Sequence, residues 1–419
     1  MKTISTLWEL DTTERANNYL TNNAGSSFCV QNFIDNEFTE NTQTEDWIDT
    51  FNPSTGEVLA RIHRSAASDV NRAVDAASKA FPSWSRTTRQ ERADMLLRIA
   101  SILDEKKELF AVWESIDQGK TLARARVEVD RAIANFRQAT LPPGVMNIIF
   151  GDGSGAGSTL VKSPYVRGVS FTGGTSTGIR IRQDTVADIG KHLSLELGGK
   201  NPTLIFDDVD LAKAVALAAQ ASFENSGQIC LCGSRIYVHR DIYERFLPAF
   251  AEYVHKNYRC GETIGPVVSR EHYSKVRSYL RLAQDEKAHF HTGEVPDEDP
   301  HNGYWIKPTV LSGVCTDSRV MREEIFGPVV TVSPFDTEKE AIELANDNPN
   351  GLASVLMTTD ISRMRRVGEQ IEAGLVWVNC WLVRELGTAF GGMKASGIGR
   401  EGGAQSRDVF TNLRTLHVR

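Results

Sequence analysis

Residues 192–235 read HLSLELGGKNPTLIFDDVDLAKAVALAAQASFENSGQICLCGSR, and the fold is decided by how this stretch is parsed. His192 to Leu197 alternates apolar and polar residues, which predicts a strand ending at Glu196. Gly198-Gly199 then permits a sharp turn or a close backbone approach to a ligand. Asn201 to Phe206 predicts a second strand, Asp207-Asp208 a turn, and Asp210 to Phe223 an Ala-rich helix that stops at Asn225-Ser226-Gly227. Cys230 follows that loop, so an acid at a strand end and a thiol at a loop end stand 34 residues apart.

A thiolate is the strongest side-chain nucleophile near neutral pH, and its adduct with an aldehyde can lose hydride to a nicotinamide. The thioester so formed needs water, and a carboxylate whose pKa is raised by burial can activate that water. Leu195 and Leu197 flank Glu196 and predict its burial. Taken alone, Cys230 reads first as a small buried hydrophobe, and Cys232 is read as packing.

LELGGKNP followed by FENSGQICLCGSRIYV resembles the paired signatures of the NAD(P)-dependent aldehyde dehydrogenase superfamily. The resemblance implies Cys230 as nucleophile, Glu196 as general base and NAD as hydride acceptor. Strand Val166 to Phe171 feeds Thr172-Gly-Gly-Thr-Ser-Thr-Gly178, where free N–H groups at a helix start suit a pyrophosphate. Gly173, Thr175 and Gly178 match the family's phosphate-contacting turn, with Gly174 where serine is more usual, and Leu197 is assigned to the cofactor site with them. In Arg322-Glu-Glu-Ile-Phe-Gly-Pro328 the resemblance assigns Glu324 to the nicotinamide ribose and Phe326 to the ring; by itself the Glu pair reads as a solvated helix cap. An earlier run, Gly151-Asp-Gly-Ser-Gly-Ala-Gly157, satisfies G-x-G-x-x-A but is read chiefly as a turn.

Asn379-Cys-Trp-Leu-Val-Arg384-Glu-Leu and Asp130-Arg131-Ala-Ile-Ala-Asn-Phe136-Arg137 resemble the branch acting on 2-aminomuconic and 2-hydroxymuconic semialdehydes. In that branch two arginines hold the substrate carboxylate, and the matching residues are Arg131 and Arg384. A planar guanidinium suits a carboxylate; the bland alternative for each is a surface or interdomain ion pair.

The family pattern breaks after Arg137. Relatives carry many dozens of residues between Asn135-Phe-Arg137 and Leu141-Pro-Pro-Gly144, where this chain has only Gln-Ala-Thr. By resemblance the missing piece supplies an oligomerisation hairpin, two strands of the cofactor-binding sheet, a Pro-Trp-Asn stretch whose Asn steadies the oxyanion, and the Lys and Glu that hold the adenosine ribose. Its loss predicts unpaired ladder groups and uncovered apolar helix faces, each buried unpaired group costing about 1–3 kcal/mol.

The expected fold is therefore α/β: an aldehyde-dehydrogenase-like, Rossmann-type cofactor domain, truncated, with an α/β catalytic domain and a terminal oligomerisation strand. The expected boundaries are 1–27 for an N-terminal extension, 28–196 for the cofactor domain, 197–404 for the catalytic domain and 405–419 for the tail. In the extension, Asp11 and Glu14 form a capping box for a short helix. Phe28 to Phe38 predicts a hairpin turning at Asp35-Asn36, Val145 to Phe150 a strand, Ser68 a helix cap and Pro82 that helix's stop.

The charge balance, 47 basic against 54 acidic residues for a net −7, argues against nucleic-acid or membrane-surface partners. Six scattered cysteines form neither a disulfide framework nor a zinc motif, so no metal and a reducing, cytoplasmic compartment are expected. The expected partners are a small aldehyde, by resemblance an acidic semialdehyde, and a second copy in a homo-oligomer. Two other functions fit the residues: a non-catalytic binding protein that keeps the catalytic fold, and a cysteine hydrolase pairing Cys230 with His192.

Overall fold

The computed structural model describes residues 12, 15, 28–39, 46–136, 142–300 and 302–419. The capping box at Asp11 and Glu14 and the junction after Arg137 lie outside the described residues. The chain divides into two compact units, one of Met1–Arg167, Asp184–Ile189 and His301–Tyr304, the other of Gly168–Gln183, Gly190–Pro300 and Trp305–Arg419.

In the first unit Asn32–Ile34 and Glu37–Thr39 form the expected hairpin. Asp35 and Asn36 turn it with φ of 54° and 68°, a left-handed pair whose twist matches that of the flanking strands. Phe28–Val30, Val58–His63 and Trp47–Phe51 make a three-stranded sheet with Val58–His63 in the middle. Helix Arg89–Glu105 starts on the expected box, Thr88 accepting from the Glu91 amide while Glu91 accepts from the Thr88 amide.

Three local expectations are corrected. Helix Ala67–Trp84 is capped at Ala66 rather than Ser68, with Asp69 accepting from the Ala66 amide, and Pro82 sits inside its last turn, where only one helical donor is lost. The strand expected over Val145 to Phe150 reduces to one bridge, Ile148 to Phe33, because no described strand runs beside it for longer. The glycine run 151–157 closes on itself: Asp152 Oδ1 takes the Gly155 amide and the Ser154 hydroxyl, and its Oδ2 pairs with Arg64. Gly153–Gly157 forms a single π-helical turn that runs on into helix Ser158–Lys162, rather than the plain turn expected.

In the first unit Val74, Ala77 and Phe81 on one helix face, with Ile149, Leu160 and Val166, line an open cleft of about 660 Å³.

The second unit is built on a seven-stranded sheet in the order His289–Thr292, Thr309–Ser312, Val329–Phe335, Gly233–His239, Asn201–Ile205, Ala353–Met357, Leu375–Val378. All its pairings are parallel except the first. Its central strands are buried throughout, as continuous apolar runs between helices should be. A smaller sheet places His192–Glu196 between Gly397–Ile398 and Gly168–Thr172. The parallel pair joined by helix Thr175–Thr185 is one βαβ unit, and Gly168–Thr172, alternately exposed and half-buried, is its open edge. In the tail expected over 405–419, helix Gly403–Phe410 is followed by residues 411–419, which lie exposed and pair with no described strand of this chain; the expected pairing is with a second copy. Among the described residues no helix is long and apolar enough to cross a membrane.

Candidate active site

The site is assembled within the second unit. Helix Leu211–Phe223 is capped by Asp210, whose Oδ1 accepts from the Lys213 amide at 3.1 Å. It ends in a turn where Asn225, Ser226 and Gly227 take φ of 50°, 58° and 70° in succession. Glycine is required at the third position, since a Cβ there would lie 2.2 Å from the Gly327 carbonyl oxygen. Two loops thus meet backbone to backbone, the one leading to Cys230 and the one following Glu324.

Cys230 sits in the turn just before strand Gly233–His239, not in the strand. Two buried side chains hold that turn. Asn201 Nδ2 donates to the Cys230 carbonyl at 2.7 Å and the Cys232 carbonyl at 2.9 Å, while its Oδ1 accepts from the Ala353 amide at 3.0 Å. The Trp381 indole donates to the Leu231 carbonyl at 3.0 Å. Cys232 is buried with its thiol 3.8 Å from the Glu224 carbonyl, consistent with packing.

Glu196 ends its strand only 4% exposed, and among the described residues neither carboxyl oxygen has a hydrogen-bond partner. Burial pushes its pKa up to about 8; the charge of Glu401 adds to the rise, and Arg400 and Arg384 oppose it. The Cys230 thiol is pushed up to about 11, first by burial and then by Glu324 and Glu196, with Arg384 and its own amide pulling it down. Glu324 is raised by burial, while its Oε1 accepts from the Gly199 amide at 3.0 Å. Cys230, Glu196, Glu324 and Arg384 therefore share one electrostatic environment. A cavity of about 20 Å³, room for one water, lies between Cys230 and Glu324.

The turn 172–178 is tied to Glu196 itself: the Gly173 amide donates to the Glu196 carbonyl at 3.0 Å. Helix Thr175–Thr185 begins two residues on, leaving its first amides without intrahelical acceptors. A Cβ on Gly178 would lie 2.5 Å from Leu197 Cδ2, and one on Gly174 would meet nothing within 4 Å, so the helix start stays open to an approaching anion. Phe326 takes φ of 61° beside Glu324. The open helix start and the Glu324 carboxyl are the groups that could hold a dinucleotide's phosphates and ribose.

The Arg384 guanidinium lies 4.1 Å from the centroid of the Phe390 ring. Arg131 is exposed on helix Leu122–Phe136 of the first unit.

Lys200, one residue past the glycine pair, is 2% exposed with no partner for its Nζ, and burial, then Arg235, push its pKa down to about 7. Sequence reasoning passed over Asn201, Trp381, Lys200 and Glu401. The one available signal was polarity: a Lys-Asn pair opening an otherwise apolar strand has to be explained by a partner.

The model for the aldehyde dehydrogenase family matches residues 38–140 and 133–416, two pieces that meet where the sequence pattern breaks. The chain is 38% identical to human 2-aminomuconic semialdehyde dehydrogenase, covering 93% of this chain and 98% of that protein. That alignment runs over 482 positions, more than the 419 residues here, so the relative carries residues this chain lacks. Identity to 2-hydroxymuconic semialdehyde dehydrogenase of Pseudomonas sp. (strain CF600) is 33%, over 93% of this chain and 99% of that protein. Among solved structures, HpcC from Thermus thermophilus superposes with a TM-score of 0.89 at 30% identity, over 98% of this chain and 97% of that one. Betaine aldehyde dehydrogenase from Staphylococcus aureus, in complex with NAD+, gives 0.85 at 31%, over 90% and 92%.

Proposed function

The chain belongs to the aldehyde dehydrogenase family and is an oxidoreductase acting on aldehydes; on that footing we propose that it oxidises an acidic semialdehyde of the 2-aminomuconic or 2-hydroxymuconic type to the carboxylic acid, with NAD as acceptor, Cys230 as nucleophile and Glu196 as general base. The observation that carries this reading is the buried, unpartnered carboxyl of Glu196 in the same electrostatic environment as the Cys230 thiol.

Cys230 Sγ, once deprotonated, adds to the aldehyde carbon, forming a C–S bond and an oxyanion. The Cys230 amide, which favours the charge on its own sulfur, is the backbone donor assigned to that oxyanion. The adduct becomes a thioester when its oxyanion collapses and the C–H bond breaks with loss of hydride, and NAD, when bound, would supply the acceptor for that hydride and a positive ring charge. Glu196, ionised, then takes a proton from water as the water oxygen attacks the thioester carbon; the C–S bond breaks and the thiolate leaves. Gly173, Thr175, Gly178 and Leu197 are the residues assigned to the dinucleotide's phosphate side, Glu324 and Phe326 to its nicotinamide side. The absent segment removes the family's side-chain oxyanion donor, which points to turnover lower by about a hundred- to a thousandfold than with it.

Arg384 and Arg131 are assigned to the substrate's distal carboxylate. Support for Arg384 is its pull on both Cys230 and Glu196. Branch membership of the relatives supports the acidic substrate class.

The test is calorimetric titration of NAD into the Cys230→Ser protein, followed by turnover of a muconic semialdehyde against a neutral aldehyde by the unaltered protein and Arg384→Ala. Saturable binding, and a KM penalty in the variant confined to the acidic aldehyde, is the expected result. A cooperatively melting protein that binds no NAD would instead leave a non-catalytic binding role.

A further inference from the structure

We infer that His272 is a positioning residue for the nicotinamide side of the site, clasping the left-handed turn that carries Glu324 and Phe326; the inference rests on the oxidoreductase reading above.

Helix Arg270–Asp285 starts at Ser269, whose hydroxyl accepts from the His272 amide at 3.1 Å, so the side chain of His272 leaves a capped and fixed turn. Its Nε2 lies 2.5 Å from the Phe326 carbonyl oxygen, which makes Nε2 the protonated nitrogen, since a carbonyl only accepts. The two rings meet edge to face at 5.8 Å. Phe326 is left-handed without being glycine, a conformation that persists only where its surroundings impose it. His272 provides one constraint. The next turn of the same helix face provides another: a Cβ on Gly327 would lie 2.8 Å from Val276 Cγ2, so the turn already touches the helix. On the third turn, the Tyr279 hydroxyl donates to Glu323 Oε2 at 2.6 Å.

Residues 272, 276 and 279 thus grip 326, 327 and 323 from one stripe of one helix. Glu324 lies inside the gripped segment, and its Oε1 reaches the Gly199 amide from there. Freeing the Phe326 carbonyl lets its φ relax, which swings the adjoining peptides and with them Glu324. The loop before Cys230 meets the clasped turn through the Gly227 and Gly327 backbones, while the Cys230 turn itself has ties of its own to Asn201 and Trp381.

The experiment compares His272→Leu, which fills the space without donating, with His272→Gln, whose amide nitrogen can donate from a similar reach. Readouts are KM for NAD, kcat, and hydrolysis of an activated ester by Cys230 without NAD. The expected result for H272L is a KM for NAD raised between about three- and tenfold, the fold-change of one net hydrogen bond, with ester hydrolysis unchanged and H272Q restored toward the parent. An unchanged KM, a parallel loss of ester hydrolysis, or an H272Q as impaired as H272L overturns the clasp. Should H272L fail to fold, Tyr279→Phe carries the same expectation for KM. If the parent protein itself turns over no NAD, the oxidoreductase reading fails, and the clasp is read by proton NMR. A slowly exchanging ring N–H that disappears in H272L upholds it; its absence from the parent overturns it.

Discussion

Replacing Glu196 by Gln sets activity against stability in a way that follows from one cause. The folded-state pKa of Glu196 stands at about 8 against 4.5 for an ordinary glutamate, because burial with no hydrogen-bond donor disfavours the charge. Between those values the folded protein holds a proton that the unfolded chain has released, so folding stability falls as pH rises from 4.5 and the full cost is in place above about 8. At about 1.4 kcal/mol per unit the cost approaches 5 kcal/mol, an upper limit. Gln carries no such cost, so Glu196→Gln should match the parent near pH 4 and exceed it by a few kcal/mol near pH 9 in urea denaturation. Activity should move the other way. With an activated ester, the linear phase after the burst reports water attack on the acyl-enzyme. In the parent that rate should climb about tenfold from pH 7 to 9 as the carboxylate population grows, then level. In the Gln variant the burst should persist while the linear phase drops by about 10²- to 10⁴-fold and loses its pH dependence. A parent profile flat across that range, or a Gln variant no more stable than the parent at alkaline pH, refutes the placement of Glu196 as a buried, unpaired base.

Lys200→Met should stabilise the protein by a few kcal/mol at neutral pH, because the buried amine titrates at about 7 instead of 10.5; the gain should shrink as pH rises toward 10.5, and thermal melts across that range check it. Alkylation of Cys230 by iodoacetamide, followed by peptide mass spectrometry, should accelerate about tenfold per pH unit up to near 11, where the thiol ionises. Asn201→Ala leaves two carbonyls and one amide without their partner in a buried setting and should cost about 2–4 kcal/mol of stability, read by urea midpoint.

Much of the site is legible in the chain alone. Glu196 at a strand end and Cys230 at a loop end follow from alternation and from the stop at Asn225-Ser226-Gly227, both local signals. The turn at 172–178 is legible for the same reason, as glycines between a strand and a helix start. Elements failed to appear as read where they needed a partner. The run Val145 to Phe150 has the composition of a strand, but among the described residues its one β-bridge is Ile148 to Phe33. A ladder is a property of two segments, and one segment's pattern cannot supply the other.

Sequence by itself determined which groups this protein carries: a thiol, an acid, a glycine turn and the Glu324 of its Glu-Glu-Ile-Phe run, in the order and spacing of one family, together with the position of the missing segment. Tertiary structure alone decided the protonation of those groups, because the rise of Glu196 and Cys230 and the fall of Lys200 come first from burial by residues distant in the chain. It also decided what holds them. Asn201 reaches Cys230 across 29 residues and His272 reaches Phe326 across 54, and such contacts exist only once the sheet and its helices have closed around them.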